Sequence, residues 1–315
     1  MKISKLILGG NIFGYSCDKN QTINLIRTSL EVGVNSIDTA DVYVNGLSEL
    51  YIGEAIQENR DKFFIATKIG ANSGENFDRK GSFLYMNNAI HGSLKRLKTD
   101  YIDLYQLHHF DKFTNLEETI STFELFKKQG KIINYGFSNL TLLQYHCLTK
   151  YISKNLKDSN IFLQVPYNLF RREIDDYLQI EPKFFNIIIY GVLARGILSD
   201  KYLKLEEIDE LSRANLSKSV KLDLNIKIIN VLKNLDIFSK KRNLTISQSA
   251  ITWALNNSKI DHVIIGVRNI NQLLKNYETL NIKFNEDDIK ELDKILGDLD
   301  TYKAFNLGYI NPYNL

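Results

Sequence analysis

The feature that most constrains this chain is a hydrophobic period that keeps changing. Short unbroken apolar runs of strand length alternate with longer stretches whose apolar residues recur three and four positions apart. The strand-like runs are Lys5–Gly10, Val34–Asp38, Lys62–Lys68, Tyr101–His108, Lys131–Ser138, Ile161–Val165, Phe184–Tyr190 and His262–Gly266. Between them lie helical patterns over Asn20–Gly33, Leu47–Asn59 (with Ser48 as its cap), Met86–Lys98, Leu116–Gly130 and Leu140–Ile152. A helical turn is expected near Glu173–Gln179, and helices at Leu224–Lys240, Ser247–Asn256 and Asn269–Leu280. Sustained alternation of this kind implies parallel strands joined by right-handed crossovers. Eight such units in 315 residues point to a closed (β/α)8 barrel, a TIM barrel, with an open doubly wound sheet as the alternative. Runs such as "NIIIY" are apolar on both faces, as strands covered by helices should be.

No stretch rich in Pro, Gly or Ser interrupts the pattern, so residues 1–315 read as one domain. Within it, 281–315 supplies a C-terminal helix capped by Asn285 and an aperiodic tail. The segment 71–85, the tract after Tyr202 and the tail 302–315 are the expected pocket walls, with Phe83, Tyr85, Tyr302, Phe305 and Tyr309 as candidate contacts. A net charge of only +3, with lysines interleaved among acids, argues against a dedicated nucleic-acid surface. The two cysteines, Cys17 and Cys147, are far apart and form neither a disulfide framework nor a metal motif, which fits reduced thiols and the cytoplasm. The apolar run near the N-terminus is too short for a signal-peptide core, and no segment is long and apolar enough to span a bilayer.

Barrel enzymes build their chemistry at the C-terminal ends of the strands. Three consecutive strand ends here carry Asp38, Lys68 and His108, with Tyr43 five residues beyond Asp38 in "SIDTADVY". Singly, each has an ordinary structural explanation: a solvated lysine, a packed tyrosine, a satisfied histidine. Together, on neighbouring strands, they converge. Lys68 follows a mostly apolar run, so its ammonium is expected to be partly desolvated and to want a counter-ion, which Asp38 can supply. An ammonium beside a phenol favours the phenolate and makes the phenol a better proton donor, while an imidazole can orient a carbonyl oxygen. The set suits protonation of a carbonyl oxygen while a cofactor delivers hydride to its carbon. Asp41 reads as a solvated or loop-shaping residue. HExxH, GxSxG and Walker motifs are absent, and "GGNIFG" lacks the spacing of a dinucleotide-binding fingerprint.

These residues resemble the aldo-keto reductase family. "SIDTADVY" is similar to its Asp-Thr-Ala-x-x-Tyr signature, and "SLKRLKTDYIDLYQLH" to its stretch ending in the catalytic histidine. "GKIINYGFSN", "QVPYNLF", "VLARGILSDKY" and "GVRNINQLLKN" resemble its later strands, loops and cofactor segment, in the family's order. The resemblance implies Tyr43 as proton donor, Lys68 and Asp38 as its partners, and His108 as the carbonyl-orienting group. It implies that Ser138, Asn139 and Gln164 hold the nicotinamide amide, that Tyr190 stacks on its ring, and that Gly191 and Leu193 meet the pyrophosphate. Gly266, Arg268, Gln272 and Asn276 match the adenosine site, and Gly10 and Asn11 lie beside the cofactor. Arg268 suits a 2′-phosphate, so NADPH is the expected cofactor and NADH the alternative.

Three departures stand out. A floor-capping N-terminal hairpin is absent or reduced. Gly191 replaces a serine, and Gly10 and Asn11 replace a threonine and an apolar residue. The expected activity is NADPH-dependent reduction of an aldehyde or ketone, with a sugar or sugar-derived carbonyl among the candidates. The expected partner is that small-molecule substrate, with no nucleic acid or membrane. The alternative is a cofactor-binding, redox-sensing regulatory barrel with little turnover. A carboxylate-pair glycosidase is weaker, because Asp38 and Asp41 lie three apart on one strand-loop rather than on facing strands.

Overall fold

In a computed structural model described for residues 2–71, 79–156, 160–175, 185–203 and 226–297, the apolar runs become eight parallel strands. These are β1 (Leu6–Gly9), β2 (Ser36–Asp38), β3 (Phe64–Ile69), β4 (Ile102–Leu107), β5 (Ile132–Ser138), β6 (Ile161–Pro166), β7 (Phe185–Tyr190) and β8 (His262–Ile265). Each pairs with the next, and β8 closes onto β1, so the barrel expected from the alternation is the one that forms. The helices are α1 (Lys19–Glu31), α2 (Leu47–Ile56), α3 (Phe83–Leu97), α4 (Leu116–Lys128) and α5 (Leu142–Asn155), then α6 (Ile226–Lys240), α7 (Ile246–Asn256), α8 (Ile270–Tyr277) and α9 (Glu286–Leu296). Among the described residues no strand precedes β1, and no helix is long and apolar enough to cross a membrane. The expected turn at Glu173–Gln179 is described only to Asp175, and the tail with Tyr302, Phe305 and Tyr309 lies outside the described residues.

Helix starts follow their capping chemistry. Asp18, Thr141, Thr245 and Asn285 each accept from the backbone N–H three residues on and close a capping box with Gln21, Gln144, Gln248 and Asp288. The exception is Ser48, expected as the cap of α2. Gly46 is the N-cap, without a side-chain bond. Ser48 lies inside the first turn, where its hydroxyl donates to the Gly10 carbonyl at 2.8 Å and meets Thr39 Oγ1 at 2.7 Å. It fastens the β1 loop to α2 instead, which a local capping rule cannot foresee.

The inside of the barrel changes character along its axis. Ile7, Phe64, Ala66, Leu104, Phe162, Ile188 and Ile264 form a buried apolar cluster of inward-facing residues. Side chains alternate faces along a strand. The next inward positions above Ala66, Leu104 and Phe162 are therefore Lys68, Gln106 and Gln164. An apolar plug below and a polar layer above follow directly from this parity.

Candidate active site

The polar layer is one connected network. Lys68 is fully buried, and its ammonium donates to Asp38 Oδ1 at 2.6 Å and to the Thr39 carbonyl at 2.8 Å. Its third contact is the Tyr43 hydroxyl at 3.4 Å. Register explains the meeting: Asp38 pairs with Ala66, and Lys68 with Gln106. Beyond the end of β2 the chain stays zipped to β3, through Thr39 N–H to the Ala66 carbonyl (2.8 Å) and Asp41 N–H to the Lys68 carbonyl (3.0 Å). That extension carries Tyr43 over the lysine. Burial alone would push the Lys68 ammonium down. The Asp38 charge, the Tyr43 oxygen and the hydrogen bonds to both reverse this, so its pKa rises above the usual lysine value. The lysine stays charged.

The second carboxylate oxygen of Asp38 accepts from Gln164 Nε2 at 2.7 Å, with Gln106 Nε2 at 3.5 Å. Gln106, buried on β4, is a further member of the network that the strand-end pattern does not single out, since nothing local says which residues of this strand point inward. The ring of Tyr43 stands edge-on to His108, centroids 5.9 Å apart, and Lys68 Nζ lies 5.0 Å from the Tyr43 ring centre. His109 stacks flat on His108 at 5.0 Å. Burial first, then the Lys68 and His109 charges, push the His108 imidazole down to about 2, so it is neutral at every working pH. Its Nδ1 is buried without a hydrogen-bond partner.

A cavity of about 800 Å3 opens above this network. Asp38, Tyr43 and His108 line it together with Gly10, Asn11, Asn139, Gln164, Tyr190, Gly191, Leu193, Gly266, Arg268, Gln272 and Asn276. Lys68 sits behind the wall. Ser138 also stands off it: its hydroxyl is buried and donates to the Gln164 carbonyl at 3.0 Å, so it braces β6 instead of facing the cavity. Asn139, in the left-handed region that Asn tolerates, bridges two strands. Its Nδ2 donates to the His108 carbonyl at 2.9 Å, and its Oδ1 accepts from the Tyr190 hydroxyl at 2.5 Å. The Tyr190 ring is thereby held in place. The Arg268 N–H donates to Gln272 Oε1 at 2.8 Å at the start of α8. Gly10 has no room for a side chain: a Cβ would lie 2.9 Å from Ser48 Oγ and 3.1 Å from the Asp38 carbonyl.

Sequence reasoning missed Arg195, Ser199, Lys201, Thr245, Ser247 and Lys275, which also line the cavity. The segment "LARGILSDKY" was recognised as a motif, but no local rule says which of its side chains turn inward. Phe83 and Tyr85 sit at the start of α3 and do not line the cavity. The described residues contain no group of three His, Cys, Asp or Glu able to hold a metal ion.

Of the two expectations for Asp41, the solvated one does not hold: the residue is only partly exposed, and its N–H to the Lys68 carbonyl fits the loop-shaping one. Burial and the neighbouring Glu49 raise its carboxyl to about 6, and its Oδ1 is buried without a partner. A raised carboxyl pKa means the folded chain binds the proton more tightly than the unfolded one. Stability therefore falls as pH rises from the ordinary Asp value to about 6, and the penalty is complete above that. Asp41→Asn is expected to raise stability at pH 8 by on the order of 1–3 kcal/mol and to change little at pH 4. Thermal melts at the two pH values check this.

A parallel eight-stranded barrel with an ammonium–carboxylate–phenol network beside its cavity is compatible with the chemistry of a barrel oxidoreductase. The comparisons agree. The model of the aldo/keto reductase family matches residues 5–297. "Uncharacterized oxidoreductase YqkF" of Bacillus subtilis is 31% identical over 96% of this chain and 96% of its own length. "Aldo-keto reductase YhdN" of the same organism is 30% identical, over 92% and 87%. Among solved structures, the holo form of aldo-keto reductase AKR11C1 from Bacillus halodurans superposes with a TM-score of 0.74 at 26% identity, covering 94% of this chain and 93% of that one. The chain belongs to the aldo/keto reductase family and is an NAD(P)H-dependent oxidoreductase.

Proposed function

We propose that this protein reduces the carbonyl group of a small aldehyde or ketone, a sugar or sugar-derived carbonyl among the candidates, using NADPH and with Tyr43 as proton donor. The observation that carries this reading is Lys68, buried and held by Asp38 at 2.6 Å, reaching the Tyr43 hydroxyl at the cavity wall. When bound, a reduced nicotinamide supplies hydride to the carbonyl carbon. Tyr43 gives its phenolic proton to the carbonyl oxygen, and Lys68 stabilises the phenolate left behind. His108, kept neutral, retains an N–H with which to hold that oxygen. Asp38 keeps the ammonium in place and is itself steadied by Gln164.

The fit of a dinucleotide rests on the cavity and its donors. One cavity is lined by both Tyr43 and Arg268, and its volume is that of an ordinary cofactor site. Asn139 and Gln164 would hold the carboxamide and Tyr190 would stack on the ring. Gly191 and Leu193 would meet the pyrophosphate, while Gly266, Arg268, Gln272 and Asn276 would take the adenosine end. Gly266 has nothing within 4 Å of where a Cβ would stand, so backbone can approach a ligand there. Arg195, Lys201, Arg268 and Lys275 on the walls favour an anionic ligand, and Arg268 beside the start of α8 suits a 2′-phosphate. Arg268→Ala is expected to weaken NADPH binding about tenfold to a hundredfold and to leave NADH nearly unchanged, read by fluorescence titration.

The test of the activity is a carbonyl panel, free and nucleotide-linked sugars included, with NADPH and with NADH. Multiple turnovers are expected. A single, stoichiometric oxidation of bound cofactor would instead support the redox-sensing reading.

A further inference from the structure

The segment carrying Tyr43 is strained. Val44, Asn45 and Gly46 follow it in the left-handed region, with φ of 50, 55 and 86°. A β-branched residue rarely adopts that conformation, and such residues persist only where their surroundings hold them. The surroundings lie outside the barrel. Glu49 of α2, fully buried, accepts from Arg96 Nε of α3 at 2.6 Å and from Thr67 Oγ1 of β3, next to Lys68, at 2.6 Å. The same Arg96 lies flat against Gly46: a Cβ there would come within 2.8 Å of Arg96 Cδ. One ion pair thus joins the far end of the Tyr43 turn to the strand that carries its lysine.

We propose that the ion pair between the buried Glu49 and the partly exposed Arg96 is a clamp that positions Tyr43 over Lys68, and that Asp41 is the group that loosens it. The clamp acts through the turn and touches neither substrate nor cofactor. The inference rests on Tyr43 being the proton donor. Asp41 enters because its carboxyl, with Oδ1 buried and unpartnered, feels the charges of both Glu49 and Arg96 without pairing with either. Asp41 faces Glu49 from α2, Arg96 from α3, Lys68 from β3 and the buried Tyr105 hydroxyl from β4, near which Tyr85 of α3 also lies. The Val42 backbone N–H also hydrogen-bonds its carboxyl. While Asp41 holds its proton, Arg96 serves Glu49 alone. When Asp41 ionises, near pH 6, it competes with Glu49 for Arg96 and weakens the hold on the turn.

The experiment compares the native full-length chain with Glu49→Gln, Arg96→Met, Arg96→Lys, Asp41→Asn and Tyr43→Phe. Each is assayed with NADPH and the best carbonyl of the panel, and each is examined by hydrogen–deuterium exchange of the peptide carrying Tyr43–Gly46. Glu49→Gln and Arg96→Met should lower kcat roughly tenfold to a hundredfold, the scale expected of a small misplacement. They should leave the NADPH Kd within about twofold, because this clamp is not at the cofactor site, and should speed exchange in that peptide. Arg96→Lys should recover part of the loss. Native-like kcat and exchange in Glu49→Gln, or kcat and Kd lost in step, would overturn the clamp. If Glu49→Gln does not fold, Asp41→Asn decides. Native kcat should fall more steeply than that of Asp41→Asn between pH 5 and 7.5, and superimposable profiles would refute the competition. A Tyr43→Phe enzyme as active as native would mean that the donor assignment, not the clamp, has failed. An inactive Tyr43→Phe beside native-like clamp variants would mean the reverse. If the native chain shows no turnover, the exchange data alone decide whether the pair holds the turn.

Discussion

Tyr43→Phe is expected to lower kcat for carbonyl reduction by about 10²–10⁴, the usual contribution of a positioned general acid. The variant removes one oxygen and little else. The phenyl ring keeps its edge-on contact with His108 and its place beside the Lys68 ammonium. Lys68 loses only its longest contact, 3.4 Å, and retains Asp38 and the Thr39 carbonyl. Folding and cofactor affinity should therefore survive, with the NADPH Kd within about twofold of native. The loss should fall on kcat, because proton donation matters only as the carbonyl oxygen gains charge. Single-turnover kinetics beside a binding titration separate the two, and native-like turnover would end the assignment of Tyr43 as the acid.

Lys68→Met is expected to cost both rate and stability. It leaves the Asp38 carboxylate buried against neutral partners only, Gln164 and Gln106. Breaking a buried ion pair from one side typically costs about 3–5 kcal/mol, which corresponds to a Tm lower by on the order of 10 °C. Because the Lys68 pKa is raised, the contribution of its charge is present below the ordinary lysine value and is lost only as pH climbs through the higher folded one. The variant should thus be destabilised equally at pH 6 and pH 8. Adding Asp38→Asn removes the stranded charge and should restore part of the stability, but no activity, because the phenolate still lacks its cation. Melting curves and rates on the single and double variants test this, and a double variant that regained turnover would show that Lys68 is structural only.

The fold and much of the candidate site were legible in the sequence for different reasons. The barrel was legible because the hydrophobic period is local: each strand and helix announces itself within its own window. Asp38, Lys68 and His108 were legible because strand ends in a barrel are neighbours. The raised carboxyl pKa of Asp41 was not legible, because besides burial it depends on Glu49 of α2, brought near only by packing. Ser48 satisfied a local capping rule but was taken by Thr39 and the Gly10 carbonyl. Ser138 matched a family position, yet its hydroxyl turns to the Gln164 carbonyl.

The sequence by itself determined the order of strands and helices, their parallel arrangement, and which chemical groups stand at the strand ends. Only the tertiary structure decided which further groups join them and in what register. A strand apolar on both faces carries no period-two signal to say which residues point inward, so the inward ladder Ala66–Lys68 and Leu104–Gln106 emerges only when the sheet closes. Closure sets the register, with Asp38 level with Ala66 and Lys68 level with Gln106. That register, fixed by pairings far apart in sequence, draws Gln106 and Gln164 onto Asp38 and puts Lys68 beneath Tyr43.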